Sequence, residues 1–193
     1  ISSAAMTSSQ PSRAEQASRP GRTVVFDLGE VLVPSTGLHR SLAGVLGVEE
    51  EALGQAYWAH RRPHDLGGPA HRYWTAVFAD LGLPAEPELM DRAERADVAH
   101  WSEVPTQARL LIGDLSRAGV RMTLLSNAPH GLAGAVRAAA WSRPFDRLLF
   151  SADIGAAKPS PDIYRRADVE FRTAPEQVLS LIHISEPTRR YAI

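Results

Sequence analysis

Three short stretches carry side chains that could do chemistry together. They are Asp27 at the end of Thr23-Val24-Val25-Phe26, Ser126-Asn127 at the end of Met122-Thr123-Leu124-Leu125, and Lys158-Pro159 after Gly155-Ala156-Ala157. A carboxylate can attack phosphorus and hold the phosphoryl group as a mixed anhydride. A hydroxyl beside backbone amides near a helix start can hold phosphoryl oxygens. An ammonium offsets the repulsion between a carboxylate and an incoming phosphate. Asp27, Ser126 and Lys158 therefore read as the parts of a phosphoryl-transfer site. Singly, each has a plainer reading. Asp27 with Gly29 also suits a turn that closes a strand, and Ser-Asn or Lys-Pro alone suits a turn or a helix cap.

The elements that would position them follow from hydrophobic pattern. Thr23 to Phe26 is a short apolar run without alternation, which suits a parallel strand buried on both faces, and ligands of such sheets sit at the strands' carboxyl ends. From Gly37 to Trp101 no strand is expected. Leu38, Leu42, Val45 and Leu46 repeat at helical spacing, as do Leu53, Ala56 and Tyr57, and further helices are expected over His71 to Leu81 and Pro87 to His100. After Pro105, strands and helices alternate. A helix with Ala108, Leu111, Ile112, Leu115 and Ala118 on one face precedes a strand from Met122 to Leu125. A helix from His130 to Ala140, a strand from Leu148 to Ser151 and a helix opening at Ser160-Pro161 follow. Thr173 and Glu176 have capping-box spacing. The expected fold is α/β, a Rossmann-like three-layer core around a parallel sheet with right-handed crossovers and an inserted α-helical cap. The core covers residues 22–36 and 104–178, the cap 37–103, and residues 1–21 form a disordered tail with Met6 a candidate start.

Composition narrows the classes. Hydrophobic residues are 44% and charged residues 22% of 193, which is the balance of a globular chain, and a net charge of −1 without a basic run gives no reason to expect nucleic acid or a membrane surface. No run approaches the roughly 20 apolar residues that span a bilayer. There is no cysteine, which removes disulfides and thiolate chemistry and agrees with a cytoplasmic protein.

In order along the chain, Phe-Asp-Leu-Gly-x-Val-Leu, Leu-Leu-Ser-Asn-Ala-Pro and Lys-Pro-Ser-Pro-Asp-Ile-Tyr resemble the haloacid dehalogenase superfamily, in its branch with a helical cap between the first two motifs. The resemblance covers about Arg22 to Val178. It implies a hydrolase acting on a small phosphorylated substrate, with Asp27 as nucleophile, Ser126 and Asn127 as phosphate and nucleophile contacts, Lys158 as the charge-balancing lysine, and Mg²⁺ held by Asp27 and the Gly29 carbonyl. Two departures stand out. Many phosphatases of the family carry a second Asp two residues after the nucleophile, where this chain has Gly29; a general acid contributes ~10²–10⁴-fold, so slow turnover or a good leaving group is expected, with adjacent Glu30 a substitute donor. The family also ends its fourth strand in two acids that complete the metal site, and here the aligned residues are Ile182 and His183. The tail from Leu179 resembles a translated sequencing adapter. Residues 179–193 are therefore expected to be non-native, with Leu181, Ile182 and Ile184 still β-prone enough to fill the strand.

Two other functions stay open. One is metal-free hydrolysis of a 2-haloacid by the same aspartate, although the residues after Asp27 match that branch less well. The other is an inactive truncated remnant lacking the metal-binding acids. In the cap, Tyr57, Trp58, Tyr73 and Trp74 stand among Arg61, Arg62, His64, His71 and Arg72. The aromatics are expected to pack the helices and the charges to be solvated, the alternative being that one or two basic groups reach over the site. Asp153 reads as a loop acid that could support Lys158.

Overall fold

The structure, a computed structural model, describes residues 23–171 and 178–181. The expected N-terminal tail, the Thr173–Glu176 capping box, Ile182 and His183 lie outside the described residues. Strand β1 (Thr23–Phe26) is followed by four helices, α1 (Leu38–Leu46), α2 (Glu50–Asp65), α3 (Ala70–Asp80) and α4 (Pro87–Ser102). Then come α5 (Thr106–Arg117), β2 (Arg121–Ser126), α6 (His130–Ala138), a 3₁₀ turn at Ala140–Ser142 and β3 (Arg147–Phe150). Short α7 (Ser151–Ile154), α8 (Pro161–Phe171) and β4 (Val178–Leu181) complete the order.

The four strands form one parallel sheet in the order β3-β2-β1-β4. Phe26 pairs with Leu124 of β2 and with Leu181 of β4, so β1 is central and its carboxyl end emerges between two neighbours. All four residues of β1 are buried, as a strand covered on both faces requires. Val24, Phe26, Met122 and Leu124 pack toward Ile112 of α5 and Leu132, Ala133 and Val136 of α6. Val25 and Leu125, on the opposite face, pack with Ala156 and with Ile163 of α8. Helices on both sides of a parallel sheet make the expected three-layer α/β, Rossmann-like core.

The apolar cluster on the α5–α6 side continues without a break into α1–α4. Each of these helices buries a stripe: Leu38, Leu42 and Leu46 in α1, Leu53, Tyr57 and Arg61 in α2, Tyr73, Trp74, Val77 and Phe78 in α3, and Ala93, Asp97 and Trp101 in α4. Residues three or four apart share a helix face, so these stripes meet at one centre. Helix ends use the expected chemistry. Pro87 stands at the first position of α4, and α1 closes on Gly47, whose φ of 70° is left-handed and whose N–H bonds Ala43 O.

Two expectations need correction. Leu111, placed on the buried face of α5, is half exposed, and Leu110 is 61% exposed; Ile112 is the residue of α5 that is fully buried. The contact stripe of α5 is thus narrower than its apolar pattern. Strand β3 ends at Phe150 rather than Ser151, because Ser151 turns into α7 and directs its hydroxyl to other parts of the chain. Among the described residues no helix is long and apolar enough to cross a membrane.

Candidate functional site

Asp27 stands one residue beyond β1. Its Oδ1 accepts the Leu28 N–H at 2.7 Å, and its Oδ2 lies 2.5 Å from Lys158 Nζ. The two side chains are only 16% and 11% exposed, so this ion pair is largely shielded from water. Lys158 arrives from the loop before α8 and is fixed at several atoms. Its Nζ also donates to Leu125 O at 3.0 Å, its N–H donates to Asn127 Oδ1 at 2.8 Å, and its carbonyl accepts from Asn127 Nδ2 at 3.0 Å. Asn127 thereby acts as a two-point clamp joining the loop after β2 to the lysine loop. Burial pulls the Lys158 pKa below its ordinary value, and the Asp27 carboxylate offsets part of that pull.

Ser126 is the buried last residue of β2. Its hydroxyl lies 3.5 Å from Asn127 O, too long for a firm hydrogen bond. The structure thus gathers Asp27, Asn127 and Lys158 by direct contact and brings Ser126 to the same end of the sheet. Glu30 does not complete them. Its backbone turns through a left-handed φ of 59°, and its carboxylate accepts the Ser35 N–H at 3.0 Å. Asp153 does not support Lys158; it pairs with Arg137 and lies 3.4 Å from His130 Nδ1. Beside Gly29 stands Trp101, whose ring edge would lie 3.4 Å from a Cβ at that position.

The Mg²⁺ that the resemblance implies asks for oxygen ligands in near-octahedral array, anionic ones among them. The donors that the resemblance names are the Asp27 carboxylate and the Gly29 carbonyl, and both Asp27 oxygens already have partners. Among the described residues no group of three His, Cys, Asp or Glu side chains could hold a metal. The described residues therefore do not fit a magnesium site by themselves.

The cap holds a feature that pattern reading missed. Arg61 is buried rather than solvated, 6% exposed, and donates to Asp65 Oδ1 and to Asp97 Oδ2, both at 2.9 Å. Tyr57 Oη is the hub: it accepts from Arg61 Nη1 and from Trp101 Nε1 at 3.0 Å, and donates to Asp97 Oδ1 at 2.6 Å. Burial, reinforced by Asp97, holds the Tyr57 phenol far above its usual range, so it stays a donor. The Arg61 guanidinium also lies over the Tyr57 and Tyr73 rings, at 4.9 and 5.8 Å. With both carboxylates already on it, Arg61 serves the cap's interior. A signal was present in the sequence: Leu53-Tyr57-Arg61 and Ala93-Asp97-Trp101 are each spaced by four, so the two charges lie on the apolar stripes.

This sheet, with its helical insertion after β1, has the fold of solved haloacid dehalogenase-type enzymes. A family enzyme of Bacteroides thetaiotaomicron, solved with magnesium and inorganic phosphate, superposes with a TM-score of 0.63 at 15% identity, over 83% of each chain. The L-2-haloacid dehalogenase of Xanthobacter autotrophicus, solved with chloropropionic acid covalently bound, gives 0.65 at 20% identity, over 83% of this chain and 69% of that one. In sequence, an uncharacterised protein in the fgs 3′ region of Lacticaseibacillus casei is 27% identical over 175 residues, spanning 84% of this chain and 76% of its own. No family model matches the chain.

Proposed function

We propose that the chain is a hydrolase working through a covalent intermediate on Asp27, and that its substrate is a small phosphate monoester. The observation that carries the reading is the shielded contact of Asp27 with Lys158 at the carboxyl end of the central strand, clamped through Asn127 to the loop after β2. An Asp27 oxygen attacks phosphorus, the bond from phosphorus to the leaving oxygen breaks, and that oxygen leaves with the electron pair. Water then attacks phosphorus, the bond to Asp27 breaks, and carboxylate and inorganic phosphate are restored. Lys158 offsets charge as the phosphoryl group approaches, and the Ser126 hydroxyl donates to a phosphoryl oxygen. With Glu30 held by Ser35 and a glycine at position 29, the leaving oxygen draws its proton from water, which favours substrates whose leaving groups need little help.

A second reading has its own support. Asp27 is paired with a lysine at 2.5 Å, and a carboxylate held beside an ammonium also suits displacement of halide from a 2-haloacid. There the carboxylate attacks C2, halide leaves, and water hydrolyses the resulting ester at the Asp27 carbonyl carbon, releasing a 2-hydroxy acid. The deciding experiment offers the full chain an aryl phosphate and 2-chloropropionate, each with Mg²⁺ added or chelated, alongside Asp27→Asn. Phosphate release lost in the variant supports the first reading, and metal-independent halide release supports the second. Turnover that survives Asp27→Asn removes Asp27 from the mechanism, and no turnover by the unaltered chain overturns both readings.

A further inference from the structure

Ser151 is completely buried at the junction of the core, the cap and the loop that carries Asn127. Its hydroxyl accepts the Ala128 N–H at 2.9 Å, immediately after Ser126-Asn127. The single hydroxyl proton has two carbonyls within reach. Asp65 O, at the end of cap helix α2, is 2.5 Å away, and Ala128 O, in the loop itself, is 3.5 Å away. A serine hydroxyl can donate to one of them at a time, and the distances assign the proton to the cap.

The cap end of this bond leads back to the site. Asp65 holds Arg61 through its side chain, Arg61 and Trp101 both donate to Tyr57 Oη, and the Trp101 ring lies against Gly29, two residues after Asp27. The chain of contacts thus leaves the site on its Asn127–Ala128 side and returns on its Gly29 side. We propose that Ser151 is a positioning residue that couples seating of the cap to the geometry of the Asn127–Ala128 peptide. With the cap seated, the hydroxyl donates to Asp65 O and holds the loop through Ala128 N–H. With the cap lifted, the donor transfers to Ala128 O and the loop relaxes. A coupling of this kind is reciprocal, so a change at either end must be felt at the other.

That this loop receives phosphate rests on the function proposed above; the coupling itself does not, and the two are tested separately. Amide hydrogen exchange on the full chain compares the unaltered protein with Ser151→Ala, Ser151→Thr and Tyr57→Phe. Loss of one buried hydrogen bond should speed Ala128 exchange about 5- to 10-fold in Ser151→Ala, together with faster exchange in the last turn of α2. Ser151→Thr, which keeps the hydroxyl, should restore both. The discriminating result is Tyr57→Phe, which touches neither Ser151 nor the loop: coupling requires Ala128 to exchange faster there too. If Tyr57→Phe leaves Ala128 unchanged, or Ser151→Ala leaves α2 unchanged, Ser151 is a local support and the proposal fails. Titration with inorganic phosphate forms the second arm. Affinity that falls in Ser151→Ala ties the coupling to ligand binding, whereas an unaltered chain that binds no phosphate, while the exchange results hold, counts against the phosphate reading alone.

Discussion

Removing the Asp97 carboxylate should be among the most damaging single changes in the cap. Asp97 is fully buried and takes two charge-assisted hydrogen bonds, from Arg61 at 2.9 Å and from Tyr57 at 2.6 Å. Asp97→Ala deletes both and leaves the Tyr57 hydroxyl without its acceptor in a dry interior. Arg61 retains Asp65 at 2.9 Å, so its charge is not wholly uncompensated. Breaking a buried pair by removing one partner costs about 3–5 kcal/mol, and the surviving Asp65 contact argues for the lower part of that range. For a chain of this length, a loss of about 3–4 kcal/mol corresponds to roughly 6–16 °C in Tm. Urea titration followed by circular dichroism measures it, with Asp97→Asn, which keeps the shape and one acceptor oxygen, expected to lose less. Replacing both partners, as Arg61→Met with Asp97→Leu, should cost less than the sum of the two single changes, since neither charge is then left behind. A loss below about 1 kcal/mol for Asp97→Ala would refute the reasoning, because an average point substitution anywhere in a protein reaches that size.

Three further outcomes follow from the site and from the helices around it. Because burial lowers the Lys158 pKa, the native chain binds fewer protons than the unfolded chain between that lowered value and 10.5, so the lysine's cost to stability is present below this window and is relieved as pH rises through it. Urea midpoints measured from neutral pH to about 10.5 should therefore rise in the unaltered protein relative to Lys158→Met, and parallel curves would contradict the burial argument. Gly68→Ala would put a methyl 2.7 Å from Pro63 O, where backbone must shift, and should cost about 1–3 kcal/mol. Gly134→Ala, exposed inside α6 with nothing within 4 Å, should instead gain about 0.5–1 kcal/mol by thermal melting.

How much of this was legible in the sequence depended on the range of the forces involved. Asp27 and Asn127 could be placed because parallel strands deliver their carboxyl ends to one edge, so local apolar runs sufficed to position them; Lys158 was named with them by its motif, and it reaches that edge from the loop after α7 rather than from a strand end. Three of the cap helices, α1, α3 and α4, were legible to within a residue or two from their spacing, whereas α2 runs on to Asp65, well past the Leu53-Ala56-Tyr57 repeat that marked it. Arg61 and Asp97 were not, because a charge is expected in water unless a partner is known, and their partners come from another helix. The apolar pattern ends a strand at Ser151, whereas its hydroxyl bonds Asp65 O, far away in sequence, which no local pattern contains. Glu30 looked like a spare acid until its carboxylate was found on Ser35 N–H.

The insertion of α1–α4 between two adjacent strands also bears on the order of assembly. Thr23 and Arg121 are register partners, yet they lie roughly a hundred residues apart in sequence. Joining those ends while the intervening chain is loose would forfeit a large loop-closure entropy before the central seam of the sheet returned any contact. A condensed helical insertion shortens that loop, since both of its ends then lie close to the core. The Tyr57–Arg61–Asp97 centre sits where the insertion must condense, so its bonds should form before the β1–β2 seam. In a kinetic arm of the urea experiment, Asp97→Ala should therefore slow refolding more than it speeds unfolding. The reverse would place closure of the sheet ahead of the helices.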